Sequence, residues 1–295
     1  MKKNLEHLVE EARELVGRAL AIVPRAQRVD WEASPAAVWQ AGTWGAGFVA
    51  HPELDDIALD DLLWIDDQKA QIDRNTRQFL AGLPANNVLL WGARGTGKSS
   101  LIHGLLNRYH PDGLRLVEVS KGCLASLPDI VQRLRDEPYR FVLFCDDLSF
   151  EADDASYKEL KSALEGSVFR ASGNVLIYAT SNRRHLLPEY MSDNEQVTYV
   201  QGELHQSEAV EEKISLSDRF GLWLSFYPFK QQAYLEVVQH WVESLAAAHG
   251  LKETWSEEVR AEALRWALAR GVRSGRTAQH FARDWAGNKL LDRRA

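Results

Sequence analysis

Eight residues constrain this chain more than any others. Gly92-Ala93-Arg94-Gly95-Thr96-Gly97-Lys98-Ser99 matches the pattern G-x-x-x-x-G-K-S/T in full. The pattern carries weight only with a strand before it and a helix after it. Val88-Leu89-Leu90-Trp91 supplies an apolar strand, and Ser100-Leu101-Ile102-His103-Gly104-Leu105-Leu106 opens a helix. The chemistry explains the residue types. Glycines let the backbone curl until successive N–H groups face one anion. The helix N-terminus adds partial positive charge. Lys98 would reach the β- and γ-phosphates of a bound nucleotide, and the Ser99 hydroxyl would ligate magnesium. The loop therefore predicts a site for a nucleoside triphosphate, ATP with Mg2+.

The residues around the loop predict its scaffold. Asn87–Trp91, Leu114–Val119, Phe141–Cys145, Val175–Ala179 and Leu222–Tyr227 are short apolar runs bounded by turn or polar residues. Such runs, alternating with helical segments, predict a parallel sheet covered on both faces. The expected fold class is α/β, a P-loop NTPase three-layer sandwich with a five-stranded parallel sheet. Residues 66–81 read as a helix with Ile72, Phe79 and Leu80 toward the core. After Pro228 the strands stop, and residues 230–248, 256–270 and 276–292 read as three helices, a small all-helical lid domain. Before the sheet, residues 4–22 read as an amphipathic helix. Residues 24–50 read as irregular, broken by Pro24, Pro35, Gly42, Gly45 and Gly47. Trp31, Trp39, Trp44 and Phe48 in that stretch are expected to pack on the chain's own main domain. The expected division is 1–50, 51–228 and 229–295, with residues 188–215 as a polar loop or inserted hairpin.

A second site is expected at the end of one strand. Phe141-Val142-Leu143-Phe144-Cys145-Asp146-Asp147 is a buried strand closing on two carboxylates. In P-loop enzymes such an Asp holds magnesium through water, and Asp146 is assigned that role. The next position more often carries Glu, to polarise the attacking water. Here it is Asp147, one methylene shorter, with Glu151 four residues on; which of the two acts as base stays open.

With these stretches in hand, the span from about 51 to 292 resembles an AAA+ ATPase. Asp55-Asp56-Ile57-Ala58-Leu59-Asp60-Asp61-Leu62-Leu63 looks like the segment beside the adenine, which implies Ile57 there. Val175–Arg183 looks like the strand ending in the sensor-1 polar residue, Asn182. Leu216-Ser217-Asp218-Arg219-Phe220-Gly221 looks like the segment bearing the arginine finger, Arg219, and is similar to that of the bacterial Holliday-junction motor. Gly271-Val272-Arg273-Ser274-Gly275-Arg276 looks like the sensor-2 helix start, with Arg276 first choice and Arg273 second. Phe144–Glu151 and Ala179–Leu186 resemble a group of bacterial AAA+ proteins catalogued as a domain of unknown function. The resemblance implies nucleotide contacts from Gly92 through Ser99 and from Ser100, and a catalytic set of Asp147, Glu151, Asn182 and Arg219. It also implies a ring-type homo-oligomer, because such an arginine acts on the neighbouring subunit's nucleotide.

Composition narrows the setting. Net charge is −7, unfavourable for a general polyanion binder, so nucleic acid is possible as a partner but unsupported by charge. The basic tail Lys289 to Arg294 reads as a solvated helix end. No apolar run approaches the ~18 residues of a membrane span, and the N-terminus lacks the apolar stretch of a secretory signal. Only two cysteines occur, Cys123 and Cys145, which fits a reducing cytoplasm. The expected activity is ATP hydrolysis driving conformational change or remodelling of an unknown macromolecular partner. The alternatives are a slowly hydrolysing ATP-dependent assembly switch and a nucleic-acid-associated ATPase such as a helicase loader.

Overall fold

The computed structural model describes residues 29–42, 45–51, 57–150, 154–165, 173–184, 186, 198–200, 203–205 and 216–293. The expected helix at 4–22, Trp44, Asp55, Asp56, Glu151 and most of the 188–215 segment lie outside them.

The strands are β1 (Ala36–Gly42), β2 (Gly45–His51), β3 (Val88–Gly92), β4 (Leu114–Val119), β5 (Arg140–Cys145), β6 (Val175–Ser181), β7 (Thr198–Val200), β8 (Glu203–His205) and β9 (Leu222–Phe226). Seven of them form one sheet in the order β2-β1-β4-β5-β6-β3-β9; β7 and β8 form a separate antiparallel pair. The five runs read from sequence are the parallel part, β4-β5-β6-β3-β9. Each alternates its side chains between two cores. Val88 and Leu90 face one way with Val142, Phe144 and Tyr178, whereas Leu89 faces the other with Leu143, Cys145 and Ile177. Burial on both faces is the reason these strands read as unbroken apolar runs.

Helices α1 (Asp66–Leu80) and α2 (Lys98–Tyr109) cover the first face with Ile72, Phe79, Leu101 and Leu105. Helices α3 (Leu127–Leu134) and α4 (Ala155–Glu165) cover the second with Ile130, Val131, Leu134 and Leu160. On α1, Asn75 donates to the Asn86 carbonyl and accepts from its N–H, both at 2.9 Å, which pins the chain as it enters β3.

The sheet has seven strands rather than the expected five, because the stretch read as irregular folds into a hairpin. β1 pairs antiparallel with β2 and parallel with β4. The hairpin's glycines, Gly42, Gly45 and Gly47, carry no strand signal of their own; pairing with β4 and aromatic burial impose the conformation. Trp39 is buried and meets Phe48 edge-on at 4.9 Å, and Trp31 meets Phe141 at 4.9 Å, so these aromatic side chains do pack on the chain's own sheet.

Beyond the sheet, α5 (Gln231–His249), α6 (Glu257–Arg270) and α7 (Gly275–Asp292) share a core of their own, including Tyr234, Val238, Ala263, Phe281 and Trp285. The Ser256 and Ser274 side chains cap α6 and α7 by accepting from Val259 N–H and Thr277 N–H. In the basic tail, Lys289 pairs with Glu253 and the Arg293 guanidinium donates to the Gly250 carbonyl at 3.0 Å. No helix among the described residues is long and apolar enough to cross a membrane.

Candidate nucleotide-binding site

Three elements meet at the C-terminal end of the parallel strands: the loop after β3, the acidic turn after β5 and the first residues beyond β6. Strand β6 lies between β3 and β5. The residues at its C-terminal end are therefore held between the loop and the carboxylates.

The loop needs its glycines. Gly92, Gly95 and Gly97 all have positive φ, at 128°, 73° and 99°. A Cβ on Gly92 would collide with the Phe226 carbonyl, and one on Gly95 would sit 2.8 Å from Ser274 Oγ. The loop is thus wedged between β9 and the start of α7. Thr96 closes it internally, its hydroxyl donating to the Ala93 carbonyl at 2.8 Å. Helix α2 begins at Lys98, so its unpaired N–H groups face the loop's concavity.

Lys98 is buried, and its ammonium donates to the Gly92 and Ala93 carbonyls, each at 2.8 Å, and to Asn182 Oδ1 at 3.3 Å. Burial pulls its pKa down to about 8, against the raising pull of Asp147 and Asp146. Loop carbonyls thus hold the ammonium where an anion would otherwise compensate it. Ser99 donates its hydroxyl to Asp146 Oδ1 at 2.7 Å. Thr180, buried at the end of β6, donates to the same carboxylate oxygen at 2.5 Å and accepts from Asp147 N–H at 2.8 Å. One hydroxyl therefore ties the Asp146 carboxylate to the Asp147 backbone. Asp147 sits at φ 49°, a left-handed conformation uncommon outside glycine. Asn182 donates its amide to Asp147 Oδ1, and the Arg94 guanidinium lies 3.9 Å from Asp147 Oδ2.

Arg94, Gly95, Thr96, Gly97, Lys98, Ser99, Ser100, Asp146, Asp147, Asn182, Ile57 and Arg276 all line one cleft of about 380 Å3. The same cleft has an apolar slot of Leu62, Leu63, Ile65, Phe229, Val237 and Trp241, with Leu62 and Ile65 against Gly97, and Gln279 also lines the cleft. The slot joins the segment before α1 to α5 and α7, and His240 to Asp61 (3.0 Å) and Trp64 Nε1 to Glu236 (3.0 Å) tie the two sides together. A flat heteroaromatic ring with a polar edge suits such a slot.

Arg219 stands apart and does not line the cleft. It precedes β9, and Leu222 pairs with Val88 while Phe226 pairs with Gly92. Arg219 therefore lies at the end of the sheet opposite the loop, the strand alone spanning roughly 13 Å at about 3.3 Å per residue. Glu151 lies outside the described residues. Sequence reasoning missed Thr180 and the slot residues Phe229, Val237, Trp241 and Gln279. Thr180 had a local signal, a hydroxyl two residues before Asn182 at the end of an apolar run. The slot residues had none, since only docking of α5 and α7 brings them to the loop.

Among the described residues, no cluster of three or more His, Cys, Asp or Glu is arranged to hold a metal by itself. Mg2+ shared with phosphates needs only one or two protein oxygens. The Ser99–Asp146 pair is such a set.

A phosphate loop beside an acidic strand end, with a further strand inserted between them and a helical unit over the cleft, defines the AAA+ P-loop fold. The chain belongs to the family described as "Protein of unknown function (DUF815)", whose model matches residues 32–289. Comparison with curated proteins gave no significant match. Among solved structures, the chain is similar to the ORC1 protein of Aeropyrum pernix in complex with DNA, at 13% identity and a TM-score of 0.53, covering 79% of this chain and 61% of that one. It is also similar to a point variant of RuvB from Thermotoga maritima, at 18% identity and a TM-score of 0.50, covering 78% of this chain and 65% of that one. At such identities the likeness is one of fold.

Proposed function

We propose that this protein binds ATP with magnesium in the cleft and hydrolyses it, and that turnover drives a conformational change in a macromolecular partner. The observation that carries this reading is the continuous set of contacts Ser99–Asp146–Thr180 and Lys98–Asn182–Asp147 around one cavity. On this reading Lys98 would bind phosphate, Ser99 and Asp146 the metal, and Asn182 and Asp147 the attacking water. Adenine takes the slot between Ile57 and Trp241. Ser99 and Asp146 would hold Mg2+, which when bound neutralises phosphate charge. In hydrolysis the water oxygen bonds to the γ-phosphorus, and the bond from that phosphorus to the β–γ bridging oxygen breaks. ADP leaves with the electron pair. Asp147, the carboxylate facing the cleft, takes the water's proton and passes it to the phosphate released.

Residues 51–228 act in this proposal as the nucleotide-binding domain and residues 229–295 as a lid that reports the nucleotide state through Arg276. Arg219, remote from its own cleft, serves the nucleotide of a neighbouring copy, so the working form is a homo-oligomer of ring type. ATP titration by calorimetry with steady-state turnover tests the reading. Wild type should bind ATP in the micromolar range and release phosphate repeatedly, and Lys98→Ala should do neither. A wild-type chain without measurable ATP affinity would refute it.

One observation favours a slower variant of the same function. Both oxygens of Asp147 face partners, Asn182 and Arg94, and the side chain is a methylene shorter than Glu. Chemistry then waits on release of that carboxylate, as in an assembly switch. Repeated turnover against a single turnover per bound ATP separates the two.

A further inference from the structure

Arg94 is the third residue of the phosphate loop, a position that the loop pattern leaves free. The loop's own work is done by backbone N–H groups, Lys98 and Ser99, none of which requires a cation here. Yet Arg94 lines the same cleft as Asp147, with its guanidinium nitrogen 3.9 Å from Oδ2. Both side chains are largely exposed, at 76% and 58%. Such a solvated pair contributes little to stability, so folding does not explain its placement. Its position does. Arg94, Asp147, Asn182 and Lys98 form a chain of contacts lining one space. Lys98 marks the β–γ end of a bound triphosphate, so that space receives the γ-phosphoryl group. Besides Lys98, Arg94 and Arg276 are the basic residues lining the cleft.

We infer that Arg94 is a catalytic arginine acting in cis: when ATP enters, its guanidinium leaves the Asp147 carboxylate for a γ-phosphoryl oxygen. The inference rests on the ATPase reading. The exchange has two consequences. A guanidinium against the equatorial oxygens stabilises the charge that spreads there as the bond to the bridging oxygen breaks. At the same time one oxygen of Asp147 is released to orient water, while Asn182 keeps hold of the other. Without nucleotide, Arg94 keeps the carboxylate occupied. Planarity and two parallel N–H donors suit Arg to this exchange between carboxylate and phosphate, and Lys does not reproduce them.

The test is Arg94→Ala and Arg94→Lys in the full chain, each read by calorimetric titration with the slowly hydrolysed analogue ATPγS and by steady-state phosphate release from ATP. The exposed side chain leaves folding intact, which a thermal melt checks. Arg94→Ala should lose about 100-fold or more in kcat, with the ATPγS Kd changed less than about threefold. Arg94→Lys should recover only a small part. Mixing Arg94→Ala with Lys98→Ala chains should restore nothing, because the arginine and the nucleotide it serves belong to one chain. Turnover of Arg94→Ala equal to wild type, or restored by that mixing, would overturn the inference while leaving the ATPase reading in place. Absence of turnover in the wild type would overturn both.

Discussion

Arg276 donates its backbone N–H to the carbonyl oxygen of Gly95 at 3.1 Å, joining the first turn of α7 to the tip of the phosphate loop. A β-carbon on Gly275 would sit 3.2 Å from the same carbonyl, and one on Gly95 would sit 2.8 Å from Ser274 Oγ. The loop and the helix above it therefore share one contact, and any shift of the loop on nucleotide binding or release must be felt by α7. Gly95→Ala tests this. The new methyl group meets Ser274 Oγ at 2.8 Å, and φ of 73° costs an alanine about 1–2 kcal/mol. The variant should lower the melting temperature by a few degrees and weaken ATP binding about tenfold or more. Unchanged affinity would show that the contact is dispensable.

Lys98 sets a pH dependence. Burial lowers its pKa to about 8 from an ordinary value of 10.5. The ammonium is present below pH 8 and is lost as pH rises through that value, so ATP affinity should fall between about pH 7.5 and 9.5, approaching tenfold per pH unit at the upper end. Stability should move the other way. The unfolded chain keeps the proton up to about 10.5 while the folded chain gives it up from about 8, so this group favours folding increasingly as pH climbs between them. Lys98→Arg, charged throughout, should give a flat binding profile over the same range.

Thr180 makes a different prediction. Its hydroxyl donates to Asp146 and accepts from Asp147 N–H. Thr180→Val keeps the shape and leaves that N–H without its acceptor, at a cost of about 1–3 kcal/mol. The Asp146 carboxylate loses a donor and the Asp147 backbone loses its anchor. Turnover should drop by at least tenfold, and the magnesium concentration for half-maximal rate should rise. Asp146→Asn should raise that concentration further, with denaturant stability close to wild type.

Arg219 lies at the far end of β9 from the loop of its own chain. Arg219→Ala should abolish turnover, an effect of about 1,000-fold or more, while the ATPγS Kd stays within about threefold. Mixing Arg219→Ala with Lys98→Ala chains should restore part of the activity, because the intact loop of an Arg219→Ala chain then receives its arginine from a Lys98→Ala neighbour. Arg94→Ala should fail the same complementation, so the two arginines can be told apart in one set of mixtures. An Arg219→Ala protein that turns over normally would remove the inter-subunit model.

The hairpin before the sheet predicts a stability effect without a binding effect. Trp39 is buried between Phe48 and the Arg133 guanidinium, which stacks 5.0 Å from its ring. Trp39→Ala should cost about 3–5 kcal/mol in chemical denaturation. ATP affinity of the fraction still folded should be unchanged, since β1 is separated from β3 by three strands.

What the sequence determined by itself was local. The glycine spacing, the lysine and the serine of the loop act through backbone curl and charge within eight consecutive residues. The five apolar runs were legible because burial on both faces leaves no polar alternation to misread. Asp146 and Asp147 stood out in the sequence because the carboxylate pair ends an apolar run that follows the phosphate loop. Asn182, Arg219 and Arg276 were reached only through resemblance. Tertiary structure decided the rest. β1 and β2 carry glycines where a strand signal would need β-branched residues, and they are strands because β4 and the aromatic core hold them. The apolar slot draws on residues about 180 positions apart in sequence, from Leu62 to Trp241, and no local pattern encodes a surface made by docking one unit on another. The contact between Arg94 and Asp147 is of the same kind. The loop motif tolerates any residue at that position, and only the fold places this guanidinium beside the carboxylate.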